Sequence, residues 1–345
     1  MKPFIVLFAA VFCLSAAWWI FANPTGPTLI FEAVRDSMRK ESNNAPVQDS
    51  VFFLGDIMLA RDVENRLKVQ APEYAFEELP MLKEAKWVVG NFEASVPVTH
   101  VPAPNMTMRF SVEPTLLPVL EIGGLTHLSL ANNHALDYFE EGYLNSLAQL
   151  KARGFEVFGH PLRVDENSIS YLEADGRKIA LIGINATYGE VPTTWMDSLA
   201  EASLLSDTQI VYIHWGDEYD LFHNEDQEEL AHIFIDAGFD VVIGHHPHVV
   251  QNIERYRDGI IFYSLGNFIF DQYWNKDVSE GLMLELVVER ESMAFVLHPI
   301  ESRTTKVRPR LMSDIEKTAF LEDLALRSSR TLEEGIRQGV LALQF

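Results

Sequence analysis

Cysteine is almost absent from this sequence, which contains a single thiol, Cys13, among 345 residues. One cysteine cannot form an intramolecular disulfide, so a small fold stabilised by disulfides is excluded. Cys13 lies within an apolar run and lacks the preceding small residues of a lipidated cysteine, so we interpret it as a membrane-buried thiol. Stability must come from a core, and 48% hydrophobic residues at this length allow a large one.

Basic residues are scarce beside acidic ones, with 27 Lys and Arg against 50 Asp and Glu and a formal net charge of -23. Such a charge repels polyanions at long range, so nucleic acid is not expected as a partner. It would also repel an anionic polymer or a phosphorylated substrate, unless bound metal ions or a local basic patch reverse the field near the site.

A long apolar stretch opens the chain, following Lys2 and lasting to Ala22. At about 1.5 Å per helical residue, it is about long enough to cross a hydrocarbon core of roughly 30 Å. Trp18 and Trp19 would lie at the far interface, with the basic amino end inside. We predict a single-pass membrane anchor at residues 1–22, a tether at 23–49 and a body outside the cytoplasm. A cleaved signal peptide, leaving a secreted or periplasmic protein, is the alternative.

From residue 50 onward, short apolar runs alternate with helical patterns, which is typical of a layered α/β domain. Continuous apolar runs suit strands buried on both faces. The runs are Val51–Leu54, Trp87–Val89, Leu128–Leu130, Ile179–Ile182, Ile210–Ile213, Val241–Ile243 and Ile261–Tyr263. Helices are predicted at 144–153 and 225–237, and a hairpin at 171–184 around Asp175-Gly176. We place one domain at 50–300 and a C-terminal helical extension at 301–345.

Nearly every apolar run is followed at once by a polar residue that can bind a metal ion or a phosphate. Ligands of open α/β sheets bind at the carboxyl ends of strands, so these residues should converge although they are far apart in sequence. Six such endings in succession are difficult to explain by packing alone. They are Gly55-Asp56, Asn91-Phe92-Glu93, Asn132-Asn133-His134, His214-Trp215-Gly216-Asp217-Glu218, His245-His246-Pro247-His248 and Gly266-Asn267.

The residues of these endings form a mixed oxygen and nitrogen donor set. Two carboxylates, an amide oxygen and several imidazoles suit Mn, Zn or Fe rather than Ca or a thiolate-bound metal. Two such ions, roughly 3.5 to 4 Å apart, can orient a water molecule, lower its pKa and hold the oxygens of a phosphoryl group. The endings therefore predict a site for one or two divalent metal ions.

Six sequence blocks cover these endings. They are Gly-Asp-Ile-Met-Leu-Ala-Arg at 55–61, Asn-Phe-Glu at 91–93, Ala-Asn-Asn-His-Ala-Leu-Asp-Tyr at 131–138, His-Trp-Gly-Asp-Glu-Tyr at 214–219, Gly-His-His-Pro-His at 244–248 and Ser-Leu-Gly-Asn-Phe at 264–268. In this order they resemble the signature blocks of the CapA family, the bacterial poly-γ-glutamate capsule synthesis proteins within the calcineurin-like metallophosphoesterase superfamily. The resemblance spans about Val51 to Pro299. It implies a four-layer αββα sandwich of metallophosphatase type, with the site at one edge of the two sheets.

The resemblance also implies roles for individual side chains. Asp56 would ligate the first ion, and Glu93 would take the place of the bridging carboxylate. Asn133 and His214 would ligate the second ion.

Further roles come from the same resemblance. His246 and His248 match the paired histidines of the last superfamily block, with His245 as an alternative to either. His134 would stabilise or protonate the leaving oxygen, and Asp137, three residues on, would orient the His134 ring if a helix begins there.

Two positions depart from the superfamily pattern. The histidine usually found two residues after the first aspartate is replaced by Met58, which leaves the first ion one imidazole short. The bridging aspartate is replaced by Glu93, which is longer by one methylene. A single ion at the more complete second position is therefore an alternative to two.

Three functions follow as hypotheses. The first is a role in making, releasing or exporting an anionic capsular polymer such as poly-γ-glutamate, together with other capsule synthesis subunits. The second is a metal-dependent phosphoesterase acting on a phosphorylated envelope metabolite. The third is a non-catalytic subunit that holds a metal ion or an anion.

A few polar residues have less decisive sequence contexts. Glu218 is within reach of the predicted site but is equally plausible as a surface acid, and Arg109 is either a contact for an anionic substrate or simply solvated. Six histidines without matching context are interpreted as structural or surface residues. They are His100, His127, His160, His223, His232 and His298.

Overall fold

The chain from residue 49 onward folds into strands and helices, as seen in a computed structural model that describes residues 49–104, 107–188, 195–288 and 292–344. The predicted anchor and all but the last residue of the predicted tether lie outside these ranges. None of the helices within them combines the length and apolar character that a membrane crossing requires.

The first sheet is mixed and draws its strands from both ends of the described chain. Its strands are β1 (Val51–Ile57), β2 (Trp87–Phe92), β3 (His127–Ser129), β4 (Glu156–Phe158), β11 (Asn267–Ile269), β12 (Glu280–Val288), β13 (Ser292–Glu301), β14 (Arg310–Leu311) and β15 (Val340–Gln344). Their order is β14-β13-β12-β1-β2-β3-β4, with β11 paired to β1 and β15 paired to β13. Strands β1 to β4 run parallel to one another, and β12 runs antiparallel to β1.

The second sheet contains the middle of the chain. Its strands are β5 (Ile169–Ala174), β6 (Arg177–Asn185), β7 (Thr208–His214), β8 (Val241–His245), β9 (Ile253–Tyr256) and β10 (Gly259–Phe262). Their order is β5-β6-β7-β8-β10-β9. The four central strands are parallel, and the two edge strands are antiparallel to their neighbours.

Helices connect the strands. They are α1 (Arg61–Leu67), α2 (Met81–Glu84), α3 (Pro118–Ile122), α4 (Phe139–Ala152), α5 (Trp195–Leu205), α6 (Glu225–Asp236), α7 (Asp314–Arg327) and α8 (Glu333–Gln338). Helix α6 begins with a capping box in which Asn224 and Gln227 bond each other's backbone N–H groups. Ser313 and Glu316 do the same at the start of α7.

Alternate residues of the central strands enter different hydrophobic clusters. Phe53 of β1 and Tyr212 of β7 lie between the sheets, with ring centroids 6.4 Å apart. Phe52 faces a cluster shared with α1 to α4, and Val211 faces one shared with α5 and α6. The layers are therefore helix, sheet, sheet and helix. The continuous apolar runs arise because these strands are covered on both faces.

The predicted α/β class and the strand-forming runs are confirmed. The predicted hairpin is also present, since β5 and β6 pair antiparallel on either side of Asp175 and Gly176. Both turn residues have left-handed backbones, with φ of 48° and 78°. This geometry suits a two-residue hairpin turn and is accessible to glycine without strain.

The C-terminal residues contribute to the first sheet. The segment predicted as a helical extension contains the helices α7 and α8, and their apolar side chains join the cluster between the sheets. Strand β15, which was not predicted, follows α8 and pairs with β13 from Ser292–Gln344 to Val296–Val340. This segment therefore completes a sheet as well as covering the core.

Candidate metal centre

The first sheet presents four of the predicted site residues at one edge. Asp56 lies near the end of β1, Glu93 directly follows β2, and Asn133 and His134 follow β3. Because β1, β2 and β3 are parallel, their carboxyl ends meet at the same edge. Side chains separated by almost eighty residues of sequence are thereby brought together.

The second sheet presents the histidines opposite. His214 ends β7, and His246 and His248 follow β8, whose last residue His245 is in register with His214. Hydrogen bonds join the two edges: the backbone N–H of His246 donates to Asp56 Oδ2 over 3.2 Å. The site is therefore built at the junction of the two sheets.

Two glycines allow this close approach. A Cβ added to Gly55, next to Asp56, would lie 2.0 Å from the carbonyl oxygen of Gly266. A Cβ added to Gly244 would lie 2.0 Å from the carbonyl oxygen of Tyr263. Neither contact is sterically allowed with backbone atoms, so glycine is required at both positions.

Asp56 is fully buried and well supplied with partners. Its Oδ1 accepts a hydrogen bond from Asn91 Nδ2 at 2.8 Å, and the ring nitrogens of His245 and His248 each lie 3.4 Å from its carboxylate. Burial by itself raises the pKa of this carboxyl, but the contacts with His245 and His248 outweigh it and hold the pKa well below the ordinary value. Asp56 is therefore held as a carboxylate.

Glu93 is equally buried but has no such partners. Neither carboxylate oxygen has a hydrogen-bond partner among the described residues, and the imidazoles of His134 and His248 lie 3.8 and 3.7 Å away. Burial, followed by repulsion from Asp56 and Glu218, raises the pKa of Glu93 well above its ordinary value. A buried carboxylate without a partner is unfavourable, and a bound cation is the natural way to satisfy it.

His214 links the two halves of the site through its two ring nitrogens. Its Nε2 lies 2.8 Å from Asn133 Oδ1, and its Nδ1 lies 3.1 Å from Asn91 Nδ2. Burial, followed by the nearby His246 ring, lowers the pKa of His214 well below its ordinary value. A neutral imidazole is the form that donates to a metal ion.

His246 and His248 lie in a strained loop. Both have left-handed backbones, with φ of 96° and 58°, which is uncommon for residues with a Cβ and is typical of functional sites. Nδ1 of His246 is buried and has no hydrogen-bond partner in the part of the chain that the structure describes, and burial lowers the pKa of this ring to about 4. Nδ1 of His248 lies 3.1 Å from Asn267 Oδ1, which leaves Nε2 directed towards Glu93.

Two groups of donor atoms share Glu93, the first formed by Asp56, Glu93 and His248 and the second by Glu93, His214 and His246. A third group, formed by Glu218, His246 and His248, overlaps both, and within each group the donor atoms lie within 4.8 Å of one another. Asn133 joins the second group through its contact with His214. Because Glu93 belongs to the first two groups, its carboxylate would be shared between ions held there.

These residues fit a divalent metal. The orphaned oxygens of Glu93 and the unpartnered nitrogen of His246 are buried donors that only a cation, or protons on some of them, would satisfy. The mixture of carboxylate, amide oxygen and imidazole suits Mn, Zn or Fe. The first group would hold one ion and the second group, with Asn133, another.

His134 and Asp137 form a hydrogen-bonded pair beside these donors. Nδ1 of His134 lies 2.8 Å from Asp137 Oδ2, and its ring stacks on Phe110 with centroids 3.8 Å apart. Asp137 is fixed in turn by the backbone N–H of Phe110, while Arg109 donates to its carbonyl oxygen. The pair thus leaves Nε2 of His134 facing the site, 3.8 Å from Glu93.

Met58 and His245 are not members of the donor groups. Met58 is buried in the hydrophobic cluster between the first sheet and its helices, and its sulfur accepts a hydrogen bond from the N–H of Ala60. The ring of His245 packs on Tyr212, with centroids 4.2 Å apart, and its Nδ1 contacts Asp56. His245 therefore supports Asp56, and it belongs to none of the groups of donors.

Sequence reasoning missed several residues that hold the site together. Asn91 contacts both Asp56 and His214, and Asn132 donates to Asn91 Oδ1 and to the carbonyl oxygen of Phe92. Both lay within the run endings, but an asparagine at a strand end is commonly a turn residue, so only the fold distinguishes them. Asn267, in the last of the six run endings, contacts Nδ1 of His248 and so orients its ring.

The six histidines without sequence context each have contacts elsewhere. They are His100 beside Glu64, His127 beside Trp87, His160 beside Tyr143, His223 beside Tyr263, His232 beside Tyr256 and His298 beside Glu285. His100 also forms a small donor group with Glu64 and Glu113. The ammonium of Lys68 lies 2.5 Å from both of those carboxylates, so a cation of the chain already pairs with that group.

Comparison with known proteins identifies relatives over most of the chain. The family model described as "Bacterial capsule synthesis protein PGA_cap" matches residues 50–272. The PGA biosynthesis protein CapA of Bacillus subtilis (strain 168) is 30% identical over 300 residues, covering 81% of this chain and 78% of that protein. The capsule biosynthesis protein CapA of Bacillus anthracis is 30% identical over 349 residues, covering 94% and 82%.

A more distant relative and a solved structure are also similar. A probable polyglutamine synthesis accessory protein of Mycobacterium tuberculosis is 26% identical over 283 residues, covering 64% of this chain and 74% of that protein. A hypothetical protein from Thermus thermophilus has a TM-score of 0.48 and 18% identity, covering 70% of this chain and 94% of that one.

Proposed function

The chain belongs to the bacterial capsule synthesis protein family PGA_cap, and from this premise we propose that it is a component of the synthesis or export of an anionic capsular polymer of the poly-γ-glutamate type. In this proposal the folded body lies outside the cytoplasm, attached through the N-terminal apolar stretch. It acts beside other capsule synthesis subunits and handles the polymer at a divalent-metal site.

The names of the relatives support a role in the synthesis of a capsular polymer. The B. subtilis relative is named a PGA biosynthesis protein, and the M. tuberculosis relative is named a probable polyglutamine synthesis accessory protein. This chain spans 78% and 82% of the two Bacillus relatives, so most of their length has a counterpart here.

The observation that carries the metal-dependent part is Glu93. It is a fully buried carboxylate whose oxygens have no hydrogen-bond partner within the described ranges, and it lies beside His134, His214, His246 and His248 in a chain of net charge -23. A bound cation would both satisfy Glu93 and reverse the local field that otherwise repels an anionic polymer.

The experiment uses a strain that lacks this gene and measures its cell-surface polymer. A copy carrying His246→Ala and His248→Ala should fail to restore the polymer, and the purified body of that variant should contain less metal by elemental analysis. A copy carrying His232→Ala and His298→Ala, which removes two histidines outside the site, should restore both. Full restoration by the His246 and His248 variant would contradict the proposal.

A second candidate, a metal-dependent phosphoesterase, is favoured by the His134–Asp137 pair. A bound divalent metal would supply an activated water and polarise the phosphoryl oxygens. Asp137 holds the His134 ring through Nδ1, which leaves Nε2 free to give a proton to a leaving oxygen.

Turnover of an aryl phosphodiester, with and without Mn²⁺, tests this second candidate. His134→Ala should abolish turnover without changing the bound metal. A wild-type protein that binds metal but turns nothing over would instead support a non-catalytic binding subunit.

A further inference from the structure

We propose that Glu218 is a metal ligand on the solvent side of the centre, supplying a donor where Met58 cannot. This inference rests on the metal site of the proposed function. It concerns a residue whose sequence context left it undecided between the site and the surface.

The first donor group is short of ligands. Asp56, Glu93 and His248 are its members, and Met58 lies in the hydrophobic cluster with its sulfur engaged by the N–H of Ala60. Three protein donors leave a four- to six-coordinate ion incomplete. A rotation of Met58 towards the ion would leave a cavity in that cluster.

Glu218 lies close enough to take part. Donor atoms of Glu218, His246 and His248 all lie within 4.8 Å of one another. His248 belongs to the first donor group and His246 to the second, so Glu218 faces both. Glu93 is fully buried, whereas Glu218 is partly exposed, which places it on the solvent side.

The loop that carries Glu218 is held by backbone hydrogen bonds to the loop that carries His246 and His248, here called the histidine loop. The backbone N–H of Tyr219 donates to the carbonyl oxygen of Pro247 over 2.8 Å, and the N–H of Trp215 donates to that of His245 over 3.1 Å. Tyr219 has a left-handed backbone with φ of 72°, an uncommon geometry that these contacts maintain. The backbone on both sides of Glu218 is thus held against the segment that carries His246 and His248.

The carboxylates at the site also give it a negative local charge, which favours the binding of a cation. Asp56, Glu93 and Glu218 bring three carboxylates to one site, and within the described residues no Lys or Arg forms an ion pair with any of them. Arg61, the basic residue in the first block, instead pairs with Asp271. Two divalent ions would balance three carboxylates to within one charge.

The chain offers a matched control next to Glu218. The neighbouring Asp217 is exposed, and its carboxylate accepts a hydrogen bond from Asn224 Nδ2 at 2.7 Å, away from the donor groups. Glu218→Gln and Asp217→Asn each remove one negative charge from the same loop. A long-range effect of charge would therefore weaken metal binding in both variants. Loss of a ligand would weaken it in Glu218→Gln alone.

The test titrates the metal-free protein with Mn²⁺ and then with Zn²⁺ by calorimetry, with elemental analysis of the loaded protein. Glu218→Gln should bind at least about 10-fold more weakly than wild type, as expected on losing a ligand. Asp217→Asn should match the wild type. Both metal-free variants should melt at the wild-type temperature, which excludes misfolding as the cause.

Two results would overturn the inference, and they are distinguishable. If wild type and Glu218→Gln bind metal with the same affinity and number of ions, Glu218 is not a ligand, but the proposed metal site stands. If the wild type itself takes up no ion, both this inference and the metal-dependent part of the proposed function are wrong.

Discussion

The two sheets bring different chemistry to the same centre. The first sheet contributes oxygen donors, namely Asp56, Glu93 and Asn133, and the second contributes the imidazoles of His214, His246 and His248. The histidine loop of the second sheet has a strained backbone, with left-handed residues at His246 and His248. Neither sheet alone offers a complete donor set, so metal affinity should report on how well the two sheets are packed together.

The largest expected effect is on the oxygen side. Glu93→Gln removes the carboxylate shared by both donor groups, and we expect about a 1000-fold loss of Mn²⁺ affinity, about 4 kcal/mol. Calorimetric titration of the metal-free protein measures it. Glu173→Gln, a change on exposed β5 surface, is the control and should bind as the wild type does. An unchanged affinity in Glu93→Gln would show that the first sheet does not provide the shared ligand.

Removing an imidazole donor of the second sheet should weaken the binding of one ion rather than of both. His214→Ala removes a direct donor of the second group only, and we expect about a 100-fold loss of affinity for that ion, about 2.7 kcal/mol. Elemental analysis should show fewer ions per chain, while the group containing Asp56 keeps its own. If the metal content is the same as in the wild type, the assignment of His214 as a ligand is wrong.

The stability of the metal-free protein should depend on pH through the buried carboxyl of Glu93. The pKa of Glu93 is raised in the folded state above its ordinary value of 4.5, so the stability it contributes is present below that value and is lost as the pH rises through the folded pKa. Metal-free wild type should therefore lose up to about 1.4 kcal/mol per pH unit relative to Glu93→Gln above the ordinary pKa.

Urea unfolding of both proteins in EDTA from pH 5 to pH 8 measures this difference. Adding Mn²⁺ should remove the wild-type loss, because the bound cation favours the carboxylate. A difference that grows as the pH falls would have the wrong sign and would contradict the environment described for Glu93.

The smallest effect should lie outside the site. Asn224→Ala removes the cap of α6, on the outer face of the second sheet, and should lower the free energy of unfolding by about 1 kcal/mol. Ser313→Ala removes the equivalent cap of α7 and is the matched control for the loss of a helix cap. Neither change should alter metal affinity. A loss of affinity in Asn224→Ala alone would mean that α6 helps to position the site.

The parts of the fold that could be predicted from sequence are those with a strong local signal. Strands β1, β7 and β8 are covered on both faces, so each appears as an uninterrupted apolar run. Strands β14 and β15 have no comparable signal. They form because β13 offers an edge to pair with, and such tertiary context cannot be read from a few residues.

The candidate site shows the same division. Parallel strands share their carboxyl ends, and this predicts that Asp56, Glu93 and the histidines converge. The structure places these side chains together, and their roles as metal ligands stay predictions. The direction of Met58 into the core, the contact of His245 with Tyr212 and the placement of Glu218 depend on how loops pack against one another. No spacing in the sequence encodes those directions.

The pairing of β1 with β12 has a consequence for the order of events during biogenesis. Val51, near the start of the body, pairs with Leu286, and β12 pairs in turn with β13, which binds the final strand β15. Translation produces β1 and its neighbour β2 long before β12, so one edge of β1 waits for a partner from the end of the chain. The first sheet, whose edge presents Asp56, is therefore completed only after the strands from residue 280 onward have been made.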